Sequence, residues 1–115
     1  MNTYSLTETL AVLANAPQAL LYLSGTNCGV CHVMKSRVQA LAEKHALTAL
    51  EINLTEQPEA VAAFEVLTVP AVLLYAHGRE YHRQARFIDL TELSERIQNP
   101  PLSNTDYAEI FKQAV

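Results

Sequence analysis

Thr26-Asn27-Cys28-Gly29-Val30-Cys31-His32 carries both cysteines of the chain, spaced as one C-x-x-C. The apolar run Ala19-Leu20-Leu21-Tyr22-Leu23 leads into it, and an amphipathic stretch over residues 31–45 leads out. The spacing predicts a buried strand that turns into a helix at the cysteines. The first turn of a helix has unpaired N–H groups and the positive end of the macrodipole. A Cys28 thiolate is stabilised there, which lowers the pKa of its thiol. Two intervening residues in a helical turn let the sulfurs approach closely enough to form a disulfide. Near β-α-β patterning, such a pair reads as a dithiol redox motif.

Composition narrows the class. A chain of 115 residues is one domain of ordinary size, long enough for a real core. Half its residues are hydrophobic and few are charged, which argues against disorder. The net charge of −4 comes without a run of Lys or Arg, so the electrostatic footprint of a nucleic-acid binder is missing. Two cysteines are too few for a secreted disulfide scaffold. No basic region precedes an N-terminal apolar stretch, and residues 19–23 are too short to span a bilayer. The expectation is a soluble, cytoplasmic protein without membrane contact.

Along the chain, Ser5-Leu6-Thr7-Glu8 has the form of a capping box. Leu6, Leu10 and Leu13 follow at helical spacing, which predicts a helix over residues 6–14 that Pro17 ends. Residues 19–24 read as a strand buried on both faces. In the cysteine helix Val30, Met34, Val38, Leu41 and Ala42 form the apolar stripe, and Lys35, Gln39, Glu43 and Lys44 lie outside. A second strand covers residues 47–54, and a short helix covers 59–65 with Pro58 in its first turn. A third apolar run, residues 67–75, carries Pro70 near its start; Gly78 then supplies positive φ to a hairpin turn, and residues 80–87 return antiparallel. Asp89 caps a helix to about Ile97, and Asn99-Pro100-Pro101 stops it. Ser103-Asn104-Thr105-Asp106 caps a last helix with Tyr107, Ile110, Phe111 and Ala114 on one face. The element order is that of an α/β layered domain with a mixed sheet.

At this point the chain resembles the thioredoxin family. The resemblance rests on the strand into Cys28-Gly29-Val30-Cys31, on Ile52-Asn53-Leu54, on Thr68-Val69-Pro70 and on the turn at His77-Gly78-Arg79; it covers residues 20–97. It implies a thioredoxin-like fold, a central mixed β-sheet flanked by helices with an extra C-terminal helix. Residues 1–115 are then a single domain, its core at about 19–98 and its helical extension at about 102–115. The implied activity is thiol–disulfide exchange, foremost reduction of protein disulfides, with Cys28 as nucleophile and Cys31 as resolving thiol. Pro70 resembles the family's cis-proline, lying beside the sulfurs and presenting the Val69 backbone to an extended substrate. Implied partners are protein disulfides and a thiol or reductase electron donor, with no cofactor and no metal.

The departures from the family are as informative. Asn27 replaces the usual Trp before the first Cys, and Val30 replaces the usual Pro between the cysteines. Tyr22 and Glu51 stand where a buried Asp and its Lys partner are usual, so that carboxylate–lysine pair is expected to be absent. Glu51 alternates with Ala49 and Asn53 on a strand expected to be buried. Burial would raise its pKa and suit it to take the Cys31 proton; the alternative places it at a strand edge in water. Tyr22 is expected in the core with its hydroxyl bonded.

Other readings of the motif carry less. Cys28–His32 matches the haem-attachment string C-x-x-C-H, but the buried strand before it and the β-rich half after it do not suit a c-type cytochrome. Cys28, Cys31 and His32 lack a second ligand pair for zinc; His45, His77 and His82 read as surface or turn residues, and His32 as solvated. A non-enzymatic alternative is a thioredoxin-fold binding module or redox sensor that docks a partner with little turnover. The chain begins at its first helix, so the strand that the family often places before it is expected to be absent. The C-terminal helix would then cover that edge, or pack on a second copy as a homodimer.

Overall fold

A computed structural model describes residues 1–102 and 104–114, the backbone alone at 104–107 and 114. The elements are β1 (Asn2–Thr3), α1 (Leu6–Asn15), β2 (Gln18–Ser24), α2 (Gly29–Lys44), β3 (Thr48–Asn53), α3 (Glu59–Phe64), β4 (Ala71–Ala76), β5 (Arg79–Ala85), α4 (Leu90–Gln98) and α5 (Asn104–Ala114). The sheet order is β1-β3-β2-β4-β5. β2 is the central strand, parallel to β3 and antiparallel to β4. Its residues Ala19 to Leu23 are fully buried. Successive side chains of a strand point to opposite faces. So Leu21 and Leu23 join Leu13, Ile52 and Phe64 under α1 and α3, while Leu20 and Tyr22 join Val38, Leu93 and Ile97 under α2 and α4. Both faces are covered, which is why this strand is an unbroken apolar run.

Capping chemistry sets the ends of the helices as the residue types suggest. Ser5 Oγ accepts from Glu8 N at 3.2 Å and Glu8 Oε1 accepts from Ser5 N at 3.2 Å, a complete capping box. Asp89 accepts from Glu92 N at 3.0 Å to start α4. His77 and Gly78 have φ of 53° and 80°, so the two-residue β4–β5 loop has positive φ at both central positions, as a type I′ hairpin requires.

Several expectations are corrected. A strand does precede α1: β1 pairs in parallel with β3 at Asn2↔Leu50 and Thr3↔Glu51, and so covers that edge. Two residues are too few to carry an alternating pattern, so the strand is invisible in the sequence. In α1 the buried line is Leu6, Thr9 and Leu13, with Thr9 fully buried and Leu10 46% exposed at the rim. Val30 is 58% exposed, and its neighbour Cys31, 3% exposed, takes the buried position of the first turn of α2. Residues 67–70 form a loop rather than the start of a strand, and Leu67 is exposed. Pro58 is the N-cap of α3 rather than part of its first turn. On α5, Ile110 and Phe111 are exposed; the Ser103 cap and the side chains of Tyr107 and Ala114 lie outside the described residues.

Candidate active site

The end of β2 and the start of α2 build the site. Gly25-Thr26-Asn27 joins them, with Asn27 in the left-handed region at φ 60°, a conformation Asn tolerates better than most residues. β3 and the residues after it hold this turn: Asn53 Nδ2 donates to Thr26 Oγ1 at 3.3 Å, and Thr26 N donates to Thr55 Oγ1 at 3.0 Å. Cys28 is the N-cap of α2. Its sulfur accepts from Cys31 N at 3.1 Å, which satisfies one of the orphan donors of the helix start. Cys28 and Cys31 form a disulfide with their Cα atoms 5.2 Å apart. Cys28 is half-buried and Cys31 only 3% exposed, so a partner can reach one sulfur more readily than the other.

A polar cluster lies beneath the turn. Tyr22 is fully buried, and its hydroxyl donates to the Cys31 carbonyl at 2.6 Å. Burial, and secondarily the Glu51 charge, push its pKa up to about 12. Glu51 is 7% exposed, so the strand-edge reading is set aside. Its Oε2 accepts from Ser24 Oγ at 2.8 Å. Its Oε1 lies 2.7 Å from Lys35 Nζ, outside regular hydrogen-bond angles, so this contact is an ion pair rather than a directed bond. The usual pair at positions 22 and 51 is absent, since those positions hold Tyr22 and Glu51, but a carboxylate–lysine pair of other composition stands here. The pair exists, with its carboxylate on β3 and its lysine on α2, one helical turn beyond Cys31.

A cleft of about 610 Å³ joins these groups, lined among others by Ser24, Asn27, Cys28, Cys31, His32, Lys35, Glu51 and Asn53. His32 is exposed in it, as expected. Val69 and Pro70 do not line this cleft. The Val69–Pro70 peptide is cis, Pro70 is buried, and its carbonyl accepts from Arg86 N at 2.7 Å. A Cβ built on Gly25 would meet Val69 Cγ2 at 3.3 Å, which places Val69 against the turn into Cys28. Of the remaining histidines, His45 bonds Ser94 Oγ at 3.2 Å and His77 sits in the hairpin turn. Burial holds His82 below its ordinary pKa. Among the described residues no group of three or more His, Cys, Asp or Glu could hold a metal ion, and no helix is long and apolar enough to cross a membrane.

Sequence reasoning missed Ser24 and Lys35. Lys35 reads as an outward residue on a helical wheel, but its long stem lets the ammonium reach the end of β3. The signal available was its spacing: four residues after Cys31 puts it on the same face as that cysteine.

Comparison with known proteins agrees with this geometry. The Thioredoxin family profile matches residues 5–99. The chain is 30% identical over 81 residues to thioredoxin-like protein YdfQ of Bacillus subtilis, covering 70% of this chain and 72% of the relative. It is 31% identical over 72 residues to thioredoxin 1 of Chlorobaculum tepidum, covering 61% and 71%. Among solved structures, a mutant thioredoxin from Halobacterium salinarum superposes with a TM-score of 0.78 at 22% identity, covering 90% of this chain and 93% of that one. A structure addressing thiol resolution in yeast mitochondrial 1-Cys peroxiredoxin superposes with a TM-score of 0.79 at 18% identity, covering 87% and 95%. With its C-x-x-C pair closed as a disulfide at the start of α2, the chain belongs to the thioredoxin family and is a thiol–disulfide oxidoreductase.

Proposed function

We propose that the chain reduces protein disulfides, with Cys28 as nucleophile and Cys31 as resolving thiol. The observation that carries this assignment is the asymmetry of the pair: Cys28 is the reachable sulfur, and the Cys31 N–H points at it from 3.1 Å. In the dithiol state the same N–H and the helix dipole stabilise a Cys28 thiolate. That thiolate attacks a substrate disulfide; one Cys28–substrate bond forms and one substrate sulfur leaves. Glu51 takes the proton of Cys31, whose sulfur then attacks Cys28. The Cys28–Cys31 bond forms, the mixed disulfide breaks, and the second substrate sulfur leaves as a thiolate that takes up the proton held on Glu51. Two electrons have passed from the dithiol to the substrate.

Val69 and Pro70 form the flank on which an extended substrate segment lies, the Val69 backbone being the partner. The oxidised pair is re-reduced by a thiol or a reductase, which goes with a cytoplasmic setting. We read residues 1–115 as a single domain, with α5 as an extension whose exposed Ile110 and Phe111 pair with a second copy.

Insulin reduction with dithiothreitol as donor tests the assignment. Turnover that is lost in Cys28→Ser, with a mixed disulfide accumulating in Cys31→Ser, is the expected result. Partner capture that survives replacement of both cysteines, without turnover in the parent chain, would instead favour a binding module.

A further inference from the structure

β5 is an edge strand, and its residues His82 and Gln84 lie on the α4 face of the sheet, opposite Leu74 and Val72. Gln84 is 9% exposed. Its Oε1 accepts from Asp89 N at 2.7 Å, and its Nε2 donates to Asp89 O at 3.2 Å and meets His82 Nε2 at 3.1 Å. These bonds close the far end of the loop over residues 86–88. The near end is tied to the cis-proline, since Arg86 N donates to Pro70 O at 2.7 Å. We propose that His82, Gln84 and Asp89 form a pH-sensitive latch, which holds the loop bonded to Pro70 while His82 is neutral and loosens it when the ring takes a proton from solvent.

The backbone of Asp89 fixes the sense of these bonds. Its N–H requires the oxygen of the Gln84 amide and its C=O requires the nitrogen, so a turned amide would oppose like groups at both contacts. The remaining Gln84 N–H therefore donates to His82. His82 Nε2 is the bare nitrogen of the ring, and Nδ1 carries the hydrogen. An imidazolium has N–H at both nitrogens, so a proton on Nε2 sets two donors against each other at 3.1 Å. If the ring swings away, a Gln84 N–H loses its partner inside the fold. If the amide turns instead, both bonds to Asp89 break. Either response weakens the latch.

The groups around the ring set the direction of the response. From α4 come Arg96, which opposes an imidazolium, and Glu92, which favours it. From β4 comes Leu74, the cross-strand partner, without charge. The β5–α4 loop brings Asp89, whose carboxylate accepts from Glu92 N at 3.0 Å. On β5 itself, Glu80 is paired with Arg83 at 2.6 Å, and the Tyr81 hydroxyl is engaged by Gln18 and the Arg96 carbonyl. Burial first, then Arg96, hold His82 below the ordinary histidine value, against Glu92. The fold thus favours the neutral ring. The latch is complete above about pH 6.5 and is lost as pH falls through the lower folded value. Through the Arg86–Pro70 bond the change reaches the flank assigned to an extended substrate, a consequence that rests on that reading of Val69 and Pro70.

NMR of the isotope-labelled, oxidised chain reads the ring and the loop together. At neutral pH the His82 ring should carry hydrogen on Nδ1 and none on Nε2. The opposite tautomer overturns the proposal, and this measurement needs no variant. The protection of the Arg86 and Asp89 amides is their exchange rate set against the intrinsic rate at each pH. From about pH 7.5 to about pH 5 it should fall at least about fivefold, the order of one net hydrogen bond. In His82→Gln, which offers an acceptor oxygen that does not titrate, it should vary less than about twofold over the same range. Gln84→Met should give low protection at both ends. Parent protection that stays constant with pH, or that falls equally in His82→Gln, overturns the proposal. Insulin reduction reads the consequence for substrate as the ratio of parent to His82→Gln KM, in which the titration of the thiols cancels. That ratio should rise at least about threefold at the acid end, part of the same loss. Protection that falls while the ratio stays level supports the latch and refutes the substrate flank at Val69 and Pro70, so the two failures are distinct.

Discussion

Tyr22→Phe removes one hydroxyl from beneath the cysteine turn and nothing else. The hydroxyl is fully buried and donates to the Cys31 carbonyl at 2.6 Å. That carbonyl lies in the first turns of α2 and keeps its helical N–H donor four residues on, so the substitution orphans no acceptor. The loss is one net hydrogen bond and a void smaller than a methyl group, together about 1–2 kcal/mol. Urea denaturation of the oxidised protein measures it. The pH dependence gives a second, independent reading. Tyr22 has a folded-state pKa of about 12 against an ordinary value of 10.0, so the fold favours its neutral form. Its contribution is complete below about pH 10 and is lost as pH rises through the folded value of about 12. The parent chain should therefore lose stability more steeply over that interval than Tyr22→Phe. Tyr75, also pushed up to about 12, acts on both curves and cancels in the difference. Parallel curves, or a loss above about 3 kcal/mol at neutral pH, would refute the reasoning; the latter would mean that the hydroxyl organises more than one bond.

Thr9→Val should stabilise the chain by about 1 kcal/mol, because the Thr9 hydroxyl is fully buried without a hydrogen-bond partner among the described residues and the replacement is nearly isosteric; a denaturation midpoint that falls would refute this. Gly78→Ala should cost about 1–2 kcal/mol, since φ is +80° and the new Cβ would meet the Ala14 carbonyl oxygen at 3.4 Å; calorimetry reads it. Truncation after Pro100 should convert a concentration-dependent dimer into a monomer in analytical ultracentrifugation. A full-length chain that is monomeric at all concentrations would dismiss the role given to Ile110 and Phe111.

Legibility from sequence follows the physics of each feature. β2, α2, the capping box and the hairpin are local: an apolar run, a helical stripe, a Ser5–Glu8 pair and a His77-Gly78 turn specify themselves within a few residues. The C-x-x-C and Pro70 could be placed because their separation and element order together are restrictive. β1 escaped, since a two-residue strand has no period to read. Thr9 took the place of Leu10 in the buried line because tertiary docking, not hydrophobicity, sets the rotation of a short helix. The Lys35–Glu51 pair escaped for a different reason. It joins two elements through a long flexible side chain, and a helical wheel shows direction from the axis but not reach.

Among the replacements around the cysteines, Val30 changes the donors at the start of α2 and so bears on the direction of exchange. A proline between the cysteines would have no N–H, whereas Val30 adds a donor to the first turn of α2, beside the Cys28 sulfur that already accepts from Cys31 N. Each such dipole favours a thiolate over a thiol, so it stabilises the reduced form and makes the couple more oxidising. Val30→Pro tests this directly. Proline is tolerated in a first helical turn, and Val30 is 58% exposed, so the fold should accept it. Loss of a first-turn dipole contribution of about 0.3–1 kcal/mol corresponds to a couple about 6–20 mV more reducing. Equilibration in graded thiol–disulfide buffers, with alkylated cysteines counted by mass spectrometry, measures the shift, and the pH dependence of Cys28 alkylation should move upward with it. If the potential falls while the alkylation profile stays fixed, the effect lies in the strain of the disulfide and not in the thiolate. In that case the missing family proline governs the oxidised state of this site rather than its nucleophile.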